Sequence, residues 1–398
     1  MKKTIIILSV LFFTSCKMNA QKESKPITIG EIKSIYSNVL QEKRDIYIYA
    51  PSIDTNYFTA VHYPVLYILD GDGYFPSIRT MVHQLSVING NTALPQMIIV
   101  GISNNGNRTR DLAPTDSGGE KFVQFLEKDL MPYIEKNYTA APYRILIGHS
   151  LGGLMAVNSL LSHTALFNAY IATDPSIWWE NDKVLDKTDD ILKQKDFKGR
   201  SLFVAIANTM EQGMDTSQVR KDTAQVSHHI RSILKLTDRL KKYNSNGLRW
   251  GYKYYNDDDH ASVPFVSAYD GLRFVFNRNR FPLNLFDKRY NIDTLRNMIL
   301  SHYRVLSKEM GYPVKPSEPT NNQLGYTFLQ EKDFERARMF FQLNIDYFPE
   351  NFNVYDSMAD YYLARNEKEK AIGYLKKALS IKSTEEVRTK FEKLTAGK

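Results

Sequence analysis

The stretch RILIGHSLGGLMA, residues 144–156, constrains the fold more than any other part of the chain. An apolar run ends in Gly148-His149-Ser150-Leu151-Gly152, and a small-residue helical pattern follows at once. Glycines on both sides of a serine permit a turn that neighbouring backbone would otherwise block. Placed between a strand and a helix, this G-x-S-x-G pattern presents a serine hydroxyl at the carboxyl edge of a sheet, with a helix N-terminus behind it. A serine that merely caps the helix needs no flanking glycines.

The surrounding pattern supplies such a sheet. Residues 45–51 (DIYIYAP) alternate and stop at proline. Residues 63–73 (YPVLYILDGDG) are a continuous apolar run closed by turn residues, as in a strand buried on both faces. QMIIVGIS, YRILIG, AYIATDP, SLFVAIAN and RWGYKYY read as further strands. Helical periodicities such as EKFVQFLEKDLMPYIEKNY and HIRSILKLTDRLKKY lie between them. Apolar strands alternating with amphipathic helices predict an α/β domain on a mostly parallel sheet over residues 27–280.

The 398 residues exceed one ordinary domain of ~100–200 residues. Residues 281–316 read as a helical connector followed by a Pro-rich linker, GYPVKPSEPTNN. Beyond it Gly325, Phe328, Ala337, Phe341 and Asn344 recur 34 residues later as Ala359, Tyr362, Ala371, Leu375 and Ala378, with Pro349 between the copies. Small residues recurring where two helices touch predict paired helices. Residues 317–398 are therefore expected to form a small all-α domain that resembles tetratricopeptide repeats. It is expected to dock a protein partner or to pack on the α/β domain as a wall over the site.

Residues 1–20 read as a signal peptide: Lys2 and Lys3, then an apolar core from Thr4 to Phe13. Cys16, the single cysteine, follows directly and is the expected lipidation site of an exported, periplasmic or membrane-anchored lipoprotein. Cleavage near Ala20 is the alternative. A lone cysteine excludes an intrachain disulfide. The formal charge of +8 comes without a basic stripe, so no nucleic acid is expected. The only expected membrane contact is the lipid anchor.

A serine nucleophile needs a base. The chain order nucleophile, acid, histidine directs the search downstream of Ser150. His163 lies in the same helical segment. His228 and His229 lie in or beside a helical pattern and are expected at the surface, and His302 belongs to the helical connector. His260 follows the strand RWGYKYY through the turn NDDD and is the expected base. The acid is expected in the loop TMEQGMDTSQ, as Glu211 or Asp215, with a Ser–His pair lacking any acid as a third possibility. Asp174, one strand earlier in TDPSIWW, is a weaker candidate whose ordinary role would be to tie down the loop before Pro175. An oxyanion needs two backbone donors: Leu151 after the nucleophile, and Asp72 or Gly73 after VLYILDG. That glycine loop lacks the third glycine of a dinucleotide fingerprint. Arg108 and Arg110 in NRTRD, and Trp178 with Trp179, are candidate substrate contacts; ion pairing and packing are their ordinary roles. No H-E-x-x-H motif or cysteine pair occurs, so no metal or cofactor is implied.

Taken in order, YPVLYILDGDGYF, GISNNGNRTRDLAP, GHSLGGLMA, DPSIWW and DDDHAS resemble the bacterial "Putative esterase" family of α/β-hydrolases. The resemblance covers residues 27–280. It implies an α/β-hydrolase fold, Ser150 as nucleophile, His260 as base, and Leu151 and Asp72 as oxyanion donors. The mycolyltransferase branch of that family places a glutamate where Glu211 stands, whereas siderophore-esterase members can lack a usable acid. Members often read Ser-Pro-Ser where this chain has Asp174-Pro175-Ser176. The implied activity is ester hydrolysis on siderophore lactones or feruloyl and acetyl carbohydrate esters. An acyltransferase, or an inactive scaffold whose repeats recruit a partner, are the competing readings.

Overall fold

The computed structural model describes residues 25–52, 61–114 and 117–396. The expected signal peptide, residues 1–20, and the expected lipidation site Cys16 lie outside the described residues. Eight strands form one sheet: β1 Glu31–Ser37, β2 Glu42–Tyr49, β3 Tyr63–Leu69, β4 Ile98–Ile102, β5 Ala140–His149, β6 Ala169–Thr173, β7 Ser201–Ala207 and β8 Arg249–Tyr255. Their order is β1-β2-β4-β3-β5-β6-β7-β8. β2 runs antiparallel to both β1 and β4, and every later pairing is parallel. This is the α/β-hydrolase arrangement with a mostly parallel sheet.

Ten helices belong to this region among the described residues: α1 Gly71–Ser86, α2 Arg108–Leu112, α3 Ser117–Phe125, α4 Met131–Asn137, α5 Leu151–Ser162, α6 Trp179–Asp186, α7 Thr188–Gln194, α8 Thr216–Lys221, α9 His228–Lys242 and α10 Val263–Val275. Strand side chains alternate between faces, and each face has its own apolar core. Val65, Tyr67 and Leu69 of β3 face one core with Phe122, Leu154 and Ile233 of α3, α5 and α9. Leu66 and Ile68 face the other with Phe75 and Ile78 of α1 and Leu272 of α10. β6 and β7 are buried along their whole length, as their unbroken apolar runs require.

Six more helices follow: α11 Ile292–Met310, α12 Glu318–Gln330, α13 Phe334–Tyr347, α14 Phe352–Ala364, α15 Lys368–Ile381 and α16 Glu385–Thr395. The pair α12–α13 repeats as α14–α15, and both helix starts and both helix ends are offset by 34 residues. At the crossing in the first pair a Cβ on Gly325 would meet the Phe341 ring at 2.4 Å, so a larger residue there would have to displace that ring. This unit has its own core, centred on Phe328, Phe340, Phe341, Met358 and Leu375.

The helical unit is anchored away from the site. Met310, Tyr312 and Val314 pack on the core shared by α1 and α10. Asn279 and Arg280 bond Thr92 and Asn91, which precede β4. Phe276 lies against Tyr143 near the start of β5. Asn91 and Thr92 precede β4, and Tyr143, which Tyr312 neighbours, stands near the start of β5; these are amino ends of parallel strands, whereas Ser150 follows a carboxyl end. The expectation of a wall over the site is corrected accordingly. Tyr312 and Val314, in the segment that reads from sequence as Pro-rich linker, are part of the packed structure.

Candidate active site

The parallel strands end together, and the loops that leave their carboxyl ends carry the polar groups. Ser150 lies between β5 and α5 with φ 59° and ψ −117°, a strained conformation for any L residue. Its N–H donates to Thr173 O at 3.0 Å, and its carbonyl accepts from Ser176 N–H at 3.0 Å. The turn closes because Gly148 lets α5 come near: a Cβ there would lie 2.3 Å from Gly152 C and O. The hydroxyls of Ser150 and buried Ser176 are 3.1 Å apart.

His260 comes from the loop after β8. Its ring centroid is 4.4 Å from that of His149, the residue before Ser150. Its Nδ1 lies 2.5 Å from Asp174 Oδ2. An ionised carboxylate only accepts, so Nδ1 carries a proton, and in the neutral imidazole this leaves the lone pair on Nε2. Asp174 is fully buried. Its N–H donates to Ala205 O at 2.8 Å, and its Oδ1 accepts from Ala207 N–H at 2.9 Å. Burial pushes this carboxyl up, but the donors from His229, His260 and Ala207 outweigh that and hold it far below the usual carboxylate range.

The structure thus pairs His260 with Asp174, and the expectation of Glu211 or Asp215 in that place is corrected. Glu211 is exposed on the β7–α8 loop. Asp215 is exposed and caps α8, accepting from the N–H groups of Ser217 and Gln218 in a capping box. Asp174 was legible as the one charge directly after the apolar strand AYIAT. It stands one strand before the loop in which the acid is expected.

His229 is a second correction. It opens α9 beside His228, yet both are part-buried. His229 Nε2 donates to Asp174 Oδ2 at 2.8 Å, so two imidazoles share one carboxylate oxygen. His228 Nε2 donates to Asp182 Oδ1 at 3.1 Å, which also accepts from Ser232 Oγ at 2.6 Å. These bonds hold a left-handed turn, Glu180–Asn181–Asp182, with φ of 50°, 57° and 66°. No pattern in the sequence of α9 distinguishes these two histidines from surface ones.

Leu151 opens α5 and Asp72 lies in the first turn of α1, where backbone N–H groups have no partner within the helix. Gly73 N–H is occupied by Asp70 O at 3.0 Å, which leaves Asp72 of the two candidates in that loop. Asp70 is left-handed, with φ 53°. A Cβ on Gly71 would come within 2.4 Å of the Gly101 backbone, so the loop needs glycine to pass β4.

Arg108 forks onto Asp70, with Nε 2.8 Å from Oδ1 and Nη2 2.9 Å from Oδ2, and its Nη2 also donates to His149 O at 3.2 Å. It braces the loop after β3 against the turn that carries Ser150. Arg110 instead bonds Glu42 and Asp111, beside the buried Arg44–Asp111 ion pair, and is thereby removed from the site as a structural residue. Trp179 packs against the first core, and Trp178 stands half-buried with ring centroids 5.7 Å apart. Tyr74 O–H lies 2.9 Å from His149 Nδ1. Burial, with the neighbouring His260 ring as the next cause, lowers the His149 imidazole to about 4, so it stays neutral beside the pair.

Fold and site together define an α/β-hydrolase with a serine at the nucleophile turn. Residues 37–249 match the model of the family described as "Putative esterase", and the chain belongs to that family. It is 29% identical over 239 residues to ferri-bacillibactin esterase BesA of Bacillus subtilis, covering 54% of this chain and 79% of that one. It is 25% identical over 239 residues to the siderophore triacetylfusarinine C esterase of Aspergillus fumigatus, covering 54% of this chain and 81% of that one. Among solved structures, an IroE-like serine hydrolase from Shewanella oneidensis is similar at a TM-score of 0.67 and 30% identity, over 80% of this chain and 99% of that one. The protein is a serine carboxylic-ester hydrolase.

Proposed function

We propose that the protein hydrolyses the ester bonds of a siderophore through a covalent acyl-enzyme, with Ser150, His260 and Asp174 as its triad. The observation that carries this reading is the His260 Nδ1–Asp174 Oδ2 contact of 2.5 Å beside the strained Ser150 turn. Asp174 fixes the His260 tautomer and stabilises the imidazolium that forms when Nε2 takes the serine proton. Ser150 Oγ then attacks the ester carbonyl. The N–H groups of Leu151 and Asp72 receive the oxyanion. His260 returns the proton to the leaving alcohol, and a water activated by the same Nε2 releases the acid.

The siderophore assignment draws on what the relatives are named for, a ferri-bacillibactin esterase and a triacetylfusarinine C esterase. Export belongs to the same reading, with residues 1–15 as signal and Cys16 as lipidated residue, and so does a protein-docking role for the 34-residue helix pairs. The test is hydrolysis of a catecholate trilactone, a hydroxamate siderophore ester, feruloyl esters and acetylated xylan side by side, by the wild type and Ser150→Ala. Faster turnover of one siderophore ester, absent in the variant, is the expected result. Equal, low rates on every substrate overturn the siderophore assignment.

A further inference from the structure

We propose that Asp174, His229 and His260 form a site for a divalent transition-metal ion of the zinc type, and that its occupation switches the esterase off. The inhibitory role rests on His260 being the base; the metal site itself does not. One imidazole on the acid suffices for a triad. Here a second arrives from a different element, α9, and the ligand atoms of all three residues lie within 4.8 Å of one another. Two imidazoles and a carboxylate, with an open fourth position, are a donor set that suits zinc. Asp174 is buried, while the side chains of His229 and His260 are 18% and 40% exposed, which leaves an approach from solvent.

The present spacing is that of hydrogen bonds, 2.8 Å and 2.5 Å. Ligands around a tetrahedral zinc at about 2.1 Å stand roughly 3.3 Å apart. The ion therefore needs the two rings to draw back by less than about 1 Å. His260 sits in an exposed turn after β8, and it is this turn that has to move by that distance for the ion to enter.

The consequence for the reaction follows from the tautomer. A neutral imidazole carries one ring proton. Coordination through Nδ1 of His260 moves that proton to Nε2, and coordination through Nε2 of His229 moves its proton to Nδ1. No net proton is lost. With Nε2 protonated, His260 has no lone pair to accept the Ser150 proton, and the hydroxyl stays unactivated.

Cobalt(II) serves as probe, because zinc itself is spectroscopically silent. It is titrated into folded Ser150→Ala, which keeps all three ligands and needs no turnover to report. The expected result is a saturable tetrahedral-cobalt absorption at one ion per chain, weakened about tenfold or more by adding His229→Gln or His260→Gln. His229→Asn is the second variant, and circular dichroism confirms that each is folded. In the wild type, zinc lowers turnover of a small ester, a chelator restores it, and His229→Gln raises the half-inhibiting zinc concentration by the same factor. Absence of the cobalt spectrum in folded Ser150→Ala, or binding unchanged by both histidine substitutions, overturns the metal site. A wild type with no ester turnover overturns the functional reading and the inhibitory role with it, while the cobalt titration decides the site separately.

Discussion

His260 Nδ1 meets Asp174 Oδ2 at 2.5 Å, across 86 residues of chain. Asp174→Asn replaces an acceptor by a group that can turn its amide toward His260 and favour the wrong tautomer. The expected result is a fall of about a thousandfold or more in kcat on a p-nitrophenyl ester, with KM little changed. Glu211→Gln leaves kcat within about twofold, because that side chain is exposed and the carboxylate bonded to His260 is that of Asp174. A large loss from Glu211→Gln with a mild Asp174→Asn would reverse the assignment.

Asp215 acts on stability instead. Its carboxylate accepts two helix N–H groups at 2.8 Å. Asp215→Ala is expected to cost about 1 kcal/mol in denaturant unfolding, with no change in kcat. Loss of activity at unchanged stability would contradict the capping role.

The two glycines around the nucleophile turn differ in what they tolerate. A Cβ on Gly148 strikes Gly152 backbone at 2.3 Å, whereas one on Gly152 first meets Leu69 at 3.4 Å. Gly148→Ala is expected to abolish turnover and lower the melting temperature by several degrees. Gly152→Ala should keep the fold and most activity. Parallel activity and melting measurements on the two variants check this, and equal tolerance would show that the turn can relax.

His149 ties stability to pH. Its folded value is depressed to about 4, below the ordinary 6.5, so the unfolded chain binds the proton more readily. Stability is full above about pH 6.5, declines as pH falls to about 4, and levels off below that. The decline amounts to no more than roughly 3 kcal/mol. Asp174, depressed further, adds a separate loss at still lower pH. Urea midpoints at pH 7.5, 6 and 4.5 should show a shallower slope in His149→Gln. Identical slopes in the two proteins would rule His149 out as the source.

Met310 lies at the end of α11 yet packs on the hydrolase core at 5% exposure. Met310→Ala is expected to cost about 2–4 kcal/mol in the unfolding of the α/β region. A scan in which only a separate helical transition moves would place that side chain in the other unit.

Much was already written along the chain. Local periodicity marks each strand and helix, and Ser150 with its flanking glycines is a contiguous signal whose geometry is set within a few residues. The 34-residue recurrence is likewise readable, because each repeat is one local helix pair. His260 was reachable because it directly follows the last strand of a parallel sheet. Asp174, His229 and the anchoring of the helical unit were not decided at that level. Which carboxylate meets His260 depends on how β6, β7 and β8 align their carboxyl ends, and on which loop turns its donor groups inward. His228 and His229 read as surface residues until α9 is packed across the sheet. The serine was determined by sequence because a sharp turn is a local property. The carboxylate that partners His260 was decided by tertiary structure, because a buried charge is held only where distant donors converge on it.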